Sequence, residues 1–563
     1  MIAVLHSWNI GQLSTLVKNT LAGLVNGNVD SLRWRHVTFL VVFILVTGNL
    51  SFYHQLTIAY PLNLDFFAFV VSVGVLVCSL ILLLYCGLRL IIGARLAAVS
   101  LLVLTSCSAF FTDQFGIVMD YTMVDSFVQS DRQEMQGLLS TSFFTALMLY
   151  GVLPAIIVLR LPALEVSRLH EWRRSGFLMG SALLVIITCL GSFSPFYANF
   201  FRDHKAVRYY VNPVNPLFAI SKYVVREIAQ LKPLRLQPIL KDAAQGAGYV
   251  PKLVVMVVGE TARSDRFSLN GYQRDTNPML SIESGIQSYA NVQSCGTSTA
   301  ISVPCMFAIV GKDDFTSRSI KESENILDVL QRSGVSVLWR DNNSDSKGVA
   351  LRVPYEDFRY PSLNKVCDSE CRDVGMLGGL QSYITGQEGD ILIVLHQMGN
   401  HGPAYFERYP AEFEYFTPAC DSKELSSCTK AEIDNAYDNA IRYTDYFLSE
   451  VISLLKKNTE TYDTTMFYVS DHGESLGELG VYLHGMPYLI APIEQRRVPV
   501  IVWEYNANKS YGIDESLQSL SHDAVFKSLL MTFGVQNVAS VEGESFLPNR
   551  ITEPATSLVY NEE

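Results

Sequence analysis

The sequence predicts a two-part chain: an α-helical membrane domain of five transmembrane helices, followed by an α/β domain with a mainly parallel sheet. Three observations carry this. Apolar residues crowd the first third of the 563-residue chain, in stretches almost free of charge. From Lys252 onward, short apolar runs alternate with helix-like segments, the order expected of strands joined by helical crossovers. Two of those runs end directly in ionisable residues, at Glu260 and at Asp471-His472.

The spans are read at 36–53, 66–86, 97–111, 143–159 and 177–193, because crossing a bilayer takes roughly 20 apolar residues. Lys18, Arg33 and Arg35 precede the first, Arg89 and Arg95 follow the second, and Arg160, Arg168, Arg173 and Arg174 follow the fourth. Cationic ends stay in the cytoplasm, so five spans leave everything beyond about residue 195 on the outer face. The expected organisation is a cytoplasmic segment 1–32, a membrane domain 33–195 with an outer loop 112–142, juxtamembrane amphipathic helices and a linker over 196–250, and a catalytic domain 251–563. Small residues at 243–248 read as a hinge.

In the second part, 253–258, 335–339, 391–395, 465–470 and 498–503 are expected as buried strands, and 325–331 and 431–456 as helices. Ligands of such sheets gather beyond the carboxyl ends of strands, so Glu260 and Asp471-His472 can meet although far apart in sequence. A net charge of −12 argues against a nucleic-acid partner.

Cysteines support the topology. Cys78, Cys86, Cys107 and Cys189 lie in apolar stretches, whereas Cys295 and Cys305, Cys367 and Cys371, and Cys420 and Cys428 are near neighbours in the second part. Even-numbered, close spacing in an exported domain suggests disulfides, with adjacency favouring these pairs. A structural zinc site is the rival reading, but the paired C-x-x-C spacing is missing.

Glu260, Asp471, His472 and the Thr299 hydroxyl form a donor set suited to zinc, with manganese as the alternative. Cation contact acidifies a hydroxyl, so Thr299 is expected to attack phosphorus and carry a covalent phosphoryl group. It is expected to open a helix running through 300–309, whose N-terminus would steady an anion. Taken singly, an Asp-His pair after a strand is commonly a hydrogen-bonded core pair and a Thr at a helix start an ordinary cap; their joint occurrence is what argues for chemistry.

The runs Val258-Gly259-Glu260-Thr261-Ala262-Arg263, Asn270-Gly271-Tyr272, Cys295-Gly296-Thr297-Ser298-Thr299-Ala300, Asp341-Asn342-Asn343, His401-Gly402-Pro403 and Asp471-His472-Gly473-Glu474, followed by Tyr482-Leu483-His484-Gly485, resemble the lipid A phosphoethanolamine transferases, a family that includes the mobile colistin-resistance enzymes. The resemblance implies an alkaline-phosphatase-like periplasmic domain on five spans, held in the bacterial inner membrane. It implies transfer of phosphoethanolamine from phosphatidylethanolamine to a phosphate of lipid A, with resistance to polymyxin as the outcome, and a monomeric enzyme. The family's zinc ligands and nucleophile match Glu260, Thr299, Asp471 and His472. Its substrate-side residues match Asn343, Ser344, Lys347, His401 and His484, the two His residues sometimes holding a second zinc. In the loop after the third span the family's Asn, Thr and Glu are here Ser126, Ser130 and Glu134, which alters the expected headgroup contacts. A phosphoglycerol transferase on the same fold is the nearest rival; a sulfatase lacks support, because no Cys-x-Pro-x-Arg run lies near Thr299.

Overall fold

A computed structural model of the chain describes residues 28–130, 135, 138–162, 164–230, 236–241, 243, 250–316, 318–505, 520–535, 541 and 543–547. Of the expected hinge 243–248 only Ala243 is among them, and Glu134 is not. The chain divides into two compact units: Met1–Tyr121 with Leu139–Lys222, and Thr122–Leu138 with Tyr223–Glu563.

The first unit is helical. Four helices among the described residues are long and apolar enough to cross a membrane, α3 (Phe67–Ile92), α4 (Ala94–Phe115), α6 (Thr141–Arg160) and α7 (Arg168–Ser192). A fifth crossing exists if α1 (Trp34–Thr47) and α2 (Leu50–Ala59), bent by 62°, count as one span. The sequence predicts one continuous span at 36–53; the structure breaks it at Gly48 and Asn49. The cause is local. A Cβ on Gly48 would lie 2.2 Å from the Thr105 side chain of α4, and carbonyls at the break take side-chain donors. Asn49 donates to the Ile44 carbonyl at 3.2 Å, and Asn212 donates to the Gly48 carbonyl at 3.0 Å. Asn49 also accepts from the Asn212 backbone at 2.9 Å. Irregular backbone in an apolar setting persists only when its polar groups are paired in this way. In α6, residues Leu147–Val152 widen to a π-helix, and Ser106 of α4 donates to the Ala146 carbonyl at 3.2 Å. A small antiparallel pair, β1 (Asn28–Ser31) with β2 (Leu164–Ser167), closes the other end. Beside it Arg89 and Glu171 form a buried ion pair.

Three further helices are α5 (Tyr121–Gln129), which follows α4 in the chain, and α8 (Ser194–Asp203) and α9 (Val214–Gln230), which follow α7. The second unit is built on an eight-stranded sheet. Its strands are β3 (Lys252–Gly259), β4 (Ile286–Gln293), β5 (Ser336–Asp341), β6 (Tyr355–Asp357), β7 (Ile391–His396), β8 (Asp463–Ser470), β11 (Arg497–Glu504) and β12 (Leu520–Ser521), in the order β12-β4-β11-β8-β3-β7-β5-β6. A separate hairpin pairs β9 (Ser475–Leu476) with β10 (Tyr482–Leu483). All five expected strands are present, and β3, β5, β7 and β8 run parallel. The strand at 498–503 departs from the parallel expectation: β11 is antiparallel to both β8 and β4.

The parallel strands are continuous Val, Ile and Leu runs because both faces are covered. Val254, Met256 and Val258 of β3 pack with Trp339, Val394 and Phe467 and with the crossover helix α11 (Ile326–Arg332) on one side. The long α12 (Lys430–Lys456) packs along β8. The register then sets the active edge: Gly259 lies opposite Ser470, Val258 opposite His396, and Asp341 opposite His396. Four strand ends therefore open side by side.

One crossover is locked by a buried cap. Asn325 accepts from the backbone of Leu327 at 2.8 Å and Asp328 at 3.4 Å, and donates to the Val349 carbonyl at 2.8 Å, while Asp328 accepts from the Asn325 backbone. Replacing Asn325 by Ala orphans a buried carbonyl along with the cap, so unfolding of the purified protein, followed by Trp fluorescence, should shift to lower denaturant by about 1–2 kcal/mol. An unchanged midpoint would remove the cap from the account of stability.

Candidate active site

The active edge is built where β3 and β8 end. Gly259 must be glycine, because a Cβ there would stand 2.5 Å from the Tyr468 ring on the adjoining strand. Glu260 follows, fully buried, and the chain then turns through Thr261 at φ +55°. That left-handed conformation costs a β-branched residue energy, and it is held by two bonds. The Thr261 backbone donates to Asp471 Oδ1 at 3.1 Å, and its hydroxyl donates to Glu260 Oε1 at 2.8 Å. The His472 backbone donates to the same Asp471 oxygen at 2.7 Å. Asp471 Oδ2 is buried with no hydrogen-bond partner.

His472 Nδ1 lies 2.9 Å from the Gly473 carbonyl, which fixes the proton on Nδ1 and turns the Nε2 lone pair inward. Nε2 is 3.5 Å from Glu260 Oε1 and 3.2 Å from Asp471 Oδ2. The Thr299 hydroxyl completes the group, 3.3 Å from Glu260 Oε2 and 3.4 Å from His472 Nε2. One donor atom each from Glu260, Asp471 and His472 lies within 4.8 Å of the others.

Burial, and then the Asp471 charge, push Glu260 up to about 7, while burial pushes Asp471 up to about 6. Burial, with His484 behind it, holds His472 down to about 4, so its imidazole is neutral and able to ligate. Two buried carboxylates with an inward lone pair, an orphaned oxygen and no Lys or Arg partner among the described residues fit a divalent metal.

Thr299 is the first residue of α10 (Thr299–Met306); the helix ends at Met306 rather than running to 309, with Pro304 inside it. Ser298, not Thr299, occupies the cap position, which leaves the Thr299 hydroxyl facing the carboxylates. The disulfide Cys295–Cys305 crosses this turn, and Cys367–Cys371 and Cys420–Cys428 are formed as well.

His484 and His401 stand beside this candidate metal group, with ring centroids 4.4 Å between His472 and His484 and 5.3 Å between His401 and His484. Glu474 ties down His484 Nδ1 at 2.8 Å and accepts from Tyr405 at 2.6 Å. Asn343 donates to Glu260 Oε2 at 2.7 Å, so it touches the candidate metal group itself. Lys347 donates to the carbonyls of Ser344 at 2.7 Å and Gln129 at 3.2 Å. Ser130, Ser344 and Lys347 line one cavity of about 570 Å³ that reaches Ala300, next to Thr299. Ser126 does not line it, and its buried hydroxyl has no hydrogen-bond partner.

Two positions were not singled out as site residues from the sequence. Asp341 accepts from Trp339, His396 and the backbones of Asn343 and Asp345, and so shapes the loop carrying Asn343 and Lys347. Like Glu260 and Asp471 it closes a buried apolar run, the pattern that would have found it. Its partner His396 ends β7 in the same way.

The sequence family described as sulfatase matches residues 252–535, and the one described as phosphoethanolamine transferase EptA/EptB matches residues 62–228. Phosphatidylethanolamine transferase Mcr-2 of Escherichia coli is 42% identical over 510 residues, covering 88% of this chain and 94% of its own length. Phosphoethanolamine transferase EptA of Escherichia coli (strain K12) is 35% identical over 517 residues, covering 88% and 92%. Among solved structures, the integral membrane protein lipooligosaccharide phosphoethanolamine transferase A (EptA) from Neisseria meningitidis matches with a TM-score of 0.84 at 31% identity, over 90% of this chain and 96% of that one. With its apolar spans, its sulfatase-like sheet and these relatives, the chain belongs to the phosphoethanolamine transferase family of multi-pass membrane proteins.

Proposed function

We propose that this protein transfers phosphoethanolamine from phosphatidylethanolamine to a phosphate of lipid A, on the periplasmic face of the bacterial inner membrane, through a phosphorylated Thr299. The observation that carries the reading is the Thr299 hydroxyl, buried within 3.5 Å of Glu260 and His472 and beside Asp471. Lipid A as the acceptor class is supported by relatives that include the Kdo(2)-lipid A phosphoethanolamine 7''-transferase of Escherichia coli (strain K12), 30% identical over 434 residues.

Glu260, Asp471, His472 and the Thr299 oxygen would hold the metal, and zinc suits this donor set better than manganese. When bound, zinc supplies the positive charge that favours a threonine alkoxide at neutral pH. The residues do the rest. Thr299 Oγ1 forms a bond to phosphorus as the bond from phosphorus to the diacylglycerol oxygen breaks, and that oxygen takes a proton from the His401 and His484 pair. Burial, and then the neighbouring His484, hold His401 well below the usual imidazole range, so its ring rests neutral and must take up a proton as the phosphoryl group arrives before it can pass one on. A lipid A phosphate oxygen then attacks phosphorus and Thr299 leaves. Lys347, with only carbonyl partners in the described contacts, can pair with the phosphoryl group. One cavity serving two lipids in turn favours this ping-pong order.

The product carries an added ammonium group, which lowers the negative charge of the outer surface and weakens polycation binding. Mass spectrometry of lipid A from cells with and without the protein should show the phosphoethanolamine adduct, together with raised polymyxin tolerance; an unmodified lipid A would point to another acceptor. Thr299→Ala should lower transfer by at least about 10³-fold while the protein still inserts and folds. Full activity in that variant would exclude the covalent route. Chelator treatment of the purified protein should abolish transfer and lower its melting temperature, with zinc restoring both. Retention of activity after complete metal removal would refute the assigned centre.

A further inference from the structure

The cavity beside Thr299 is lined by charges of both signs, grouped by the elements that carry them. On one side lie α5 and α9, which contribute Asp125, Tyr223 and Glu227. On the other lie the loop of Lys347 together with Lys321 and Arg359. Asp345 also lines this second side, but its carboxylate is turned back onto the Ser346 backbone at 2.5 Å. Arg359 is committed to Asp357 at 2.7 Å, whereas Lys347 and Lys321 have no carboxylate partner among the described residues, and Lys347 is the one bonded to the α5 end at Gln129.

The carboxylates of the first side converge. Tyr223 and Glu227 are one turn apart on α9 and so share a face. Burial, and then the charges of Glu227 and Asp125, push the Tyr223 phenol up to about 12, with Arg226 opposing them. Asp125 is buried and accepts from Gln129 at 2.8 Å through Oδ1, and the Gln129 carbonyl accepts from Lys347 at 3.2 Å. A single residue, Gln129, thus links the two, through its side chain to Asp125 and through its backbone carbonyl to Lys347. Glu227 is half-buried and makes no hydrogen bond or ion pair among the described residues. A carboxylate left without a partner in a polar cavity of about 570 Å³ has an energetic reason to take a cationic ligand.

We propose that Glu227, supported by Asp125, is the specificity-determining element for the donor head group: it accepts hydrogen bonds from the ammonium of a zwitterionic phospholipid while Lys347 pairs with its phosphate. The head group is then read by two opposite charges at a set spacing, and a neutral glycerol head, which offers no cation, leaves Glu227 unsatisfied. This inference rests on the proposed transfer of phosphoethanolamine and adds the residues that choose it.

The test uses the full-length protein in vesicles, with phosphatidylethanolamine, N-acylated phosphatidylethanolamine, or phosphatidylglycerol as donor, and follows release of diacylglycerol. Unmodified protein should prefer phosphatidylethanolamine to its N-acylated form. Glu227→Gln is isosteric and breaks no bond, so it should fold. It should lower kcat/KM for phosphatidylethanolamine by about 10- to 100-fold, mainly through KM, with turnover of the N-acylated donor unchanged. Glu227→Lys should move the preference further, toward phosphatidylglycerol. Should both variants keep the unmodified protein's donor ratio, the assignment of Glu227 is overturned while phosphoethanolamine transfer stands. Should the unmodified protein itself favour phosphatidylglycerol, the proposed reaction falls and this inference with it.

Discussion

The site depends on strand register. β3 lies between β7 and β8, and pairing Gly259 with Ser470 and Val258 with His396 sets the residues that follow side by side. Slipping one strand by a single residue would turn its buried side chains to the opposite face, so the apolar runs that make the core also place the acids. The Asp471 carboxylate then accepts backbone N–H groups from both Thr261 and His472, which stitches the ends of two strands that lie more than two hundred positions apart. Packing energy and chemical geometry are therefore secured by the same contacts.

That arrangement concentrates negative charge where water is excluded. Glu260, Asp471 and Glu474 are all fully buried, and burial pushes each carboxyl upward. Each is handled differently. Glu474 is satisfied by Tyr405 and His484, whereas Asp471 keeps one oxygen without a hydrogen bond and Glu260 shares its oxygens with Thr261, Asn343 and Thr299. The contrast separates a carboxylate that positions an imidazole from carboxylates poised for a cation.

Much of this was legible in the residues themselves. Uninterrupted Val and Leu runs mark strands buried on both faces, and the ionisable residue that ends each run marks the open edge. What stayed hidden has physical reasons. β4, over Ile286–Gln293, is polar and buries only Val292 fully, so no apolar run announces it. The reversed direction of β11 leaves no trace, because alternation is the same in either sense. The broken first span is apolar on both sides of its break, and only Gly48-Asn49 hints at it. The convergence of Asp125 and Glu227 joins two helices separated by nearly a hundred positions, and depends on packing that local patterning does not encode.

The three cross-links close loops with sequence separations of only 10, 4 and 8. Loops this short restrict the unfolded chain less than long ones would, so what they secure is chiefly local shape. Cys295–Cys305 brackets Thr299 itself. The cross-link thus ties the turn before Thr299 to the helix that Thr299 opens: with both thiols reduced the sheet stays built, while that turn loses its covalent brace. Oxidation of two sulfurs is in that sense part of aiming one hydroxyl.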